Sequence, residues 1–230
     1  SGAKCQIRFW RRSGMSSVNE AIVREYFEAL GYFVTQPGNH PAPGRFLRAG
    51  PEADIDLLIL NPLVEESRIP AHMFWTTDDF GGVARALVSI SGKHTGRLYK
   101  STIDAAPDLL RFAESAARRA AAERTGGGAT AAVLCLPQLP AAGDLREKAL
   151  HALRDHGVDG VVSFHTMLAY LIGWVDLGHN YEQSDVLQTI RILKTYGFLR
   201  GSQMELFAEP PRNQVRRKRL PKLPSPPVQG

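Results

Sequence analysis

Cysteine is almost absent from the 230-residue chain: only Cys5 and Cys135 occur. A zinc centre built on cysteines is excluded by that count. Cys135 lies in the apolar run Ala131-Ala-Val-Leu-Cys-Leu136 and reads as a buried thiol of a reducing compartment. Long apolar runs are missing too. The most apolar helical stretch, Met167 to Val175, falls far short of the ~18 residues that a membrane helix needs. The sequence has no G-x-S-x-G elbow, no phosphate-binding P-loop and no dinucleotide fingerprint, and no pair of histidines stands at helical metal-ligand spacing. Acidic residues are missing from both ends. Residues 1–14 carry Lys4, Arg8, Arg11 and Arg12, and residues 210–230 carry Arg212, Arg216, Arg217, Lys218, Arg219 and Lys222, all without an acid. The formal charge of +5 therefore leaves −5 for residues 15–209, so the basic character belongs to the ends rather than to the folding part.

With 43% hydrophobic and 22% charged residues, the chain has the composition of a globular protein with one sizeable core. Residue 1 is Ser, and Met15 heads Met-Ser-Ser-Val-Asn-Glu, so residues 1–14 are expected to be an extension that does not belong to the fold. Apolar residues at helical spacing predict a helix from Val18 to Leu30, with Ser17 as N-cap and Gly31 as stop. Short strands are predicted at Tyr32–Thr35, Asp54–Leu60, Ala86–Ser91, Ala129–Leu136 and Val161–Phe164. Between them, residues 36–52 read as a loop, 63–83 as an insertion without clear pattern, and 92–101 as a loop or turn. Helices are predicted at Ala105–Arg124, Asp144–His156, Met167–Asp176 and Ser184–Tyr196. The order αβββαβαβ implies an α/β fold with a mixed sheet flanked by helices, followed by C-terminal helices. The expected organisation is an α/β domain over 15–165, a helical segment over 166–208 packed on it, and a basic, proline-rich, disordered tail over 209–230.

The αβββαβ order directs attention to four positions. Glu20 lies in the opening helix, three turns before the pair Gly31-Tyr32. Glu52-Ala-Asp-Ile-Asp56-Leu-Leu-Ile places an Asp in a short apolar strand after a loop. The next strand reads Val88-Ser89-Ile90-Ser91. In this pattern the chain resembles the PD-(D/E)XK nuclease superfamily, in its restriction-endonuclease-like and resolvase-like form, over residues 17–93 and the helix and strand that follow. The family's Glu-X-Lys motif is degenerate here, with serines at 89 and 91. The resemblance implies a restriction-endonuclease-like core, a Mg²⁺-dependent endonuclease centre, DNA before RNA as partner, and a homodimer. It equally admits a catalytically inactive member that binds nucleic acid or protein.

Phosphodiester hydrolysis needs a hard cation that polarises the phosphate and acidifies a water, held by one or two carboxylates. Asp56 is the expected ligand, with Asp54 on the same strand face as a second. Lys93 stands one residue pair beyond Ser91, about 7 Å along the strand, and a bulge at Gly92 brings it back toward the site. The expected catalytic set is thus Glu20, Asp56 and Lys93. Each has a plainer reading. Ser17-Val-Asn-Glu20 is also a capping box, the two Asp fit a solvated strand face, and Lys93-His94 fits a strand end and turn. Asp78-Asp79 reads as an acidic loop. Arg216-Arg-Lys-Arg219 fits a phosphate-contacting or nuclear-targeting run, or a solubilising tail. A cytoplasmic place is expected, nucleoid-associated or, in a eukaryote, nuclear.

Overall fold

The computed structural model describes residues 17–37, 55–92, 94 and 96–199, and of Ser17 only the backbone. Helix α1 (Ser17–Ala29) opens the fold and ends at Gly31, whose φ of 86° is costly for any residue with a Cβ. Three strands follow: β1 (Phe33–Thr35), β2 (Leu57–Leu60) and β3 (Arg85–Ile90). They form an antiparallel meander with Phe33 opposite Leu60 and Leu57 opposite Val88. Helix α2 (Lys100–Ala105), a 3₁₀ segment (Pro107–Ala113) and α3 (Ser115–Arg124) then cross to β4 (Ala131–Leu136), which runs parallel to β3. Helix α4 (Gly143–Asp155) crosses to β5 (Gly160–Ser163), parallel to β4. Helices α5 (Phe164–Trp174) and α6 (Asp185–Thr195) complete the described chain. The result is the expected α/β class, a five-stranded mixed sheet in the order β1-β2-β3-β4-β5 with helices on both faces.

Alternation along the strands divides the core in two. Ala86, Val88 and Ile90 of β3 join Ala131, Val133 and Cys135 of β4 against α1, α5 and α6. Leu87, Ala132, Leu134 and Leu136 face the opposite layer of α2, the 3₁₀ segment, α3 and α4. Every residue of β4 is buried, as a parallel strand covered on both faces requires.

The structure departs from the sequence reading in several places. Strand β2 starts only at Leu57, after Asp56, and Phe164, expected to end a strand, opens α5 with Ser163 as its cap. The long helix expected over 105–124 is two elements and a 3₁₀ segment, because Pro107 lacks an amide hydrogen and forces Ala106 out of helical geometry (φ −140°, ψ 64°). Within the expected 92–101 loop, α2 already begins at Lys100. Residues 63–83 are not a featureless insertion. Met73 to Trp75 run beside β5: the Val161 amide donates to the Met73 carbonyl (2.7 Å), and the Trp75 amide donates to the Val161 carbonyl (2.8 Å). The indole of Trp75, fully buried, covers Gly160, where a Cβ would lie 2.2 Å from the ring.

Arg118 ties the second layer together. Its guanidinium donates to the Ala113, Thr130 and Gly157 carbonyls and to Asp159 Oδ2 (2.8 Å), which also accepts from the Ala132 amide (2.7 Å). Among the described residues no helix is long and apolar enough to cross a membrane.

Gly160→Ala should destabilise the fold by about 3 kcal/mol, the upper range for overpacking, because neither the β5 backbone nor the buried indole has room to move. Urea unfolding of the variant checks this; a midpoint equal to that of the wild type would show that Trp75 is not pinned there.

Candidate functional site at the carboxyl end of the parallel strands

Strands β3, β4 and β5 end side by side at Ile90, Leu136 and Ser163. Antiparallel to them, β2 begins at this same end, so Asp56 arrives beside Ile90. Asp56 precedes the strand proper; its amide donates to the Val88 carbonyl (3.0 Å). Its Oδ2 accepts from the Ile90 amide at 2.7 Å and from the Ser89 hydroxyl at 3.3 Å. Ser89, one of the two serines singled out from sequence, thus donates to Asp56. Ser91 lies just past the strand and pairs through its backbone, donating to the Cys135 carbonyl (2.8 Å).

Helix α1 brings its first turn to the same end. Glu20 is half-buried, and the Arg24 guanidinium, one turn on, lies 4.0 Å from it. Burial raises the Glu20 carboxyl above its ordinary value; Arg24 pulls it down and the Asp56 charge pushes it up, with a net rise. The two carboxylates therefore sense one another across the α1–sheet interface. Cys135, one strand away and fully buried, is held well above the ordinary thiol range by burial and, secondarily, by Asp56. It is a packing residue and not a nucleophile.

Beside Glu20, Asn19 is 5% exposed and uses both ends of its amide. Its Nδ2 donates to the Gly92 carbonyl (3.0 Å), and its Oδ1 lies 2.8 Å from His94 Nε2. A Cβ on Gly92 would fall 2.6 Å from Asn19 Nδ2, so the approach depends on glycine. The His94 ring also meets Phe164, the first residue of α5, edge-on with centroids 4.7 Å apart, while His94 itself stays exposed.

Of the residues expected from sequence, Glu20 and Asp56 are brought to the same end of the sheet. Asp54, Lys93 and Arg216, Arg217, Lys218 and Arg219 lie outside the described residues. Asp78 and Asp79, read as an acidic loop, open a 3₁₀ turn (Asp78–Gly82), and Asp79 is held by its own neighbours. Burial opposes its ionisation, but the Thr76 amide and hydroxyl and the His72 imidazole outweigh that and hold its carboxyl low. Asp78 lines an open cleft of about 370 Å³ with Leu30, Tyr32, Asn61, Phe80 and Tyr170, at the Asn61 end of β2 and away from Asp56. Sequence reasoning missed Asn19. No local pattern joins it to Gly92 and His94, more than seventy positions on, and Gly92 reads from sequence only as the place of a bulge. Among the described residues, no group of three His, Cys, Asp or Glu side chains stands close enough to hold a metal ion.

No protein-family model, no curated protein and no solved structure matches this chain.

A carboxyl raised on folding is best accommodated protonated. The Glu20 contribution to stability is thus complete below its ordinary value of 4.5 and is lost as pH rises through the raised value. Glu20→Gln, neutral throughout, should melt higher than the wild type at about pH 7 in chelator-containing buffer, with the difference vanishing below about pH 4. Thermal melts across that range check it. A variant that melts lower at neutral pH would show that the attraction to Arg24 exceeds the cost of burial and of Asp56.

Proposed function

We propose that this chain acts on nucleic acid through a restriction-endonuclease-like core, with a divalent-cation-dependent phosphodiester centre at Glu20 and Asp56. The observation that carries the reading is that the first turn of α1, which carries Glu20, and Asp56, at the entry to β2, both reach the carboxyl end of the parallel strands. Mg²⁺ asks a protein for one or two carboxylates and fills its remaining positions with water and phosphate. Asp56 and Glu20 meet that minimum and are the residues that would hold the ion. When bound, the cation polarises the phosphate and acidifies a water. The chain's own part is to fix the carboxylates. The Ile90 amide and Ser89 hydroxyl orient Asp56, and the packing of α1 on the sheet orients Glu20.

One observation favours a second reading, a catalytically inactive relative that binds nucleic acid or protein. The Ser89 hydroxyl and Ile90 amide both donate to one Asp56 oxygen, an arrangement that satisfies this oxygen without a cation. The two readings separate in one assay. If the centre is active, Mg²⁺ or Mn²⁺ supports cleavage of duplex or single-stranded DNA, and Asp56→Asn abolishes it, because the near-isosteric amide lacks the charge that holds the ion. If the centre is silent, no divalent ion supports cleavage, and Ser89→Glu with Ser91→Lys confers it. Cleavage that survives Asp56→Asn would refute the site.

The basic tail supports the choice of a polyanionic partner. Residues 210–230 carry six cations and no acid, whereas residues 15–209 are net acidic. Truncation at residue 209 should weaken DNA binding and reduce the slope of log K against log salt by up to about 5, the counterion release of six phosphate contacts. Fluorescence anisotropy over a salt series measures both. An unchanged slope would assign the contact to the folded part.

A further inference from the structure

We infer that His94 is the proton acceptor of the centre proposed above and that Asn19 is its positioning residue; the inference rests on that reading. A polar side chain is rarely buried without a task, and Asn19 is buried where both of its amide groups are committed to the chain leaving β3. Its Nδ2 is committed to the Gly92 carbonyl, which fixes Oδ1 as the atom facing His94. An amide oxygen only accepts, so His94 Nε2 carries a hydrogen. In the neutral ring this leaves Nδ1 as the basic nitrogen. A carbonyl-type partner on one imidazole nitrogen, setting the tautomer for work at the other, is the arrangement by which histidines are prepared for proton transfer.

Three elements converge to hold the ring. Asn19 of α1 bonds it, Phe164 of α5 packs against it, and Gly92 gives the backbone the approach it needs. The ring nevertheless remains exposed, so it is oriented without being sealed. Ordering an exposed side chain is an entropic cost with little return in apolar burial. Its place suits the centre. Asn19 precedes Glu20 on the first turn of α1, and His94 follows by four residues Ile90, whose amide binds Asp56.

The step balances with water as co-reactant. A water gives a proton to Nδ1, and its oxygen lone pair forms the new bond to phosphorus. The bond from phosphorus to the leaving oxygen breaks with its electron pair on that oxygen, which takes a proton from solvent. The imidazolium then returns its proton to solvent, and no group changes oxidation state.

The test uses the full chain, a DNA duplex and Mg²⁺ or Mn²⁺, together with ¹⁵N-resolved NMR of the histidine rings. His94→Gln should lower kcat about a hundredfold, the usual weight of a general base, with KM nearly unchanged and thermal stability retained. In the wild type the His94 ring should show the Nε2–H tautomer, and Asn19→Ala should convert it to a mixture while lowering kcat. Full activity in His94→Gln, or a wild-type ring protonated at Nδ1 alone, would overturn the inference and leave the Glu20–Asp56 reading standing. Wild-type protein inert with both cations would overturn that reading and the inference with it. The two failures are told apart by whether an Asp56-dependent activity exists at all.

Discussion

The indole of Trp75 against the bare backbone of Gly160 is the contact on which the rest of the first layer depends. It anchors residues 73–75 along β5, so that side of the last strand is paired rather than left open. From Trp75 the packing runs inward through Phe80, which meets four rings edge-on: Trp75 at 5.3 Å, Phe27 at 5.2 Å, Tyr26 at 6.0 Å and Tyr32 at 6.4 Å between centroids. Each such pair adds to the area it buries. The Tyr32 hydroxyl lies between the Phe80 and Val83 carbonyls, 2.6 and 2.7 Å away, and burial pushes it up to about 12. The segment 63–83 is therefore the bridge between the edge of the sheet and α1.

That bridge decides where α1 sits, and α1 decides the site. Tyr26 and Phe27 lock the second half of the helix into the aromatic cluster, with Tyr170 of α5 edge-on to Tyr26 at 5.6 Å. The first half is set by Asn19, which grips the chain just past β3. Helix α1 is thus pinned at one end by ring packing and at the other by an amide. Glu20, between the two anchors, is presented to Asp56 with little freedom to drift. A site on a helix fixed at both ends keeps its geometry better than one carried on a loop.

What could be read in advance follows from how local each signal is. Period-3.6 patterns were enough for α1 and for α4 to α6, which bury one face each, and short apolar runs bounded by turn residues were enough for β3 to β5, which are covered on both faces. The break at Pro107 carried a local signal too, but the alanine-rich composition around it masked the proline's effect. Trp75 and Asn19 are different. Their partners, Gly160 and Gly92, are distant in sequence, and a glycine announces only that something approaches, not what. Glu20 and Asp56 were singled out by their spacing, but that spacing did not show which groups hold them. The donors on Asp56, a backbone amide and the serine standing where Glu was expected, become visible only when β2 and β3 are paired.

The charge on Asp56 is where structure and chemistry come apart. The Ile90 amide and Ser89 hydroxyl need an acceptor oxygen, and an asparagine would supply one just as well. The negative charge does something else: beside burial, the larger cause, it helps to raise the Glu20 carboxyl, so an ionised Glu20 on α1 bears a cost that a neutral residue at 56 would not impose. A cation between Asp56 and Glu20 would turn that repulsion into shared attraction, and protonation of Glu20 would merely remove it. Asp56→Asn keeps the acceptor and deletes the charge, so it separates the oxygen's role in ending β3 from the charge's role in the site. If divalent ions stabilise the wild type, a variant that folds as well and does not respond to them would assign the charge to the cation rather than to the fold.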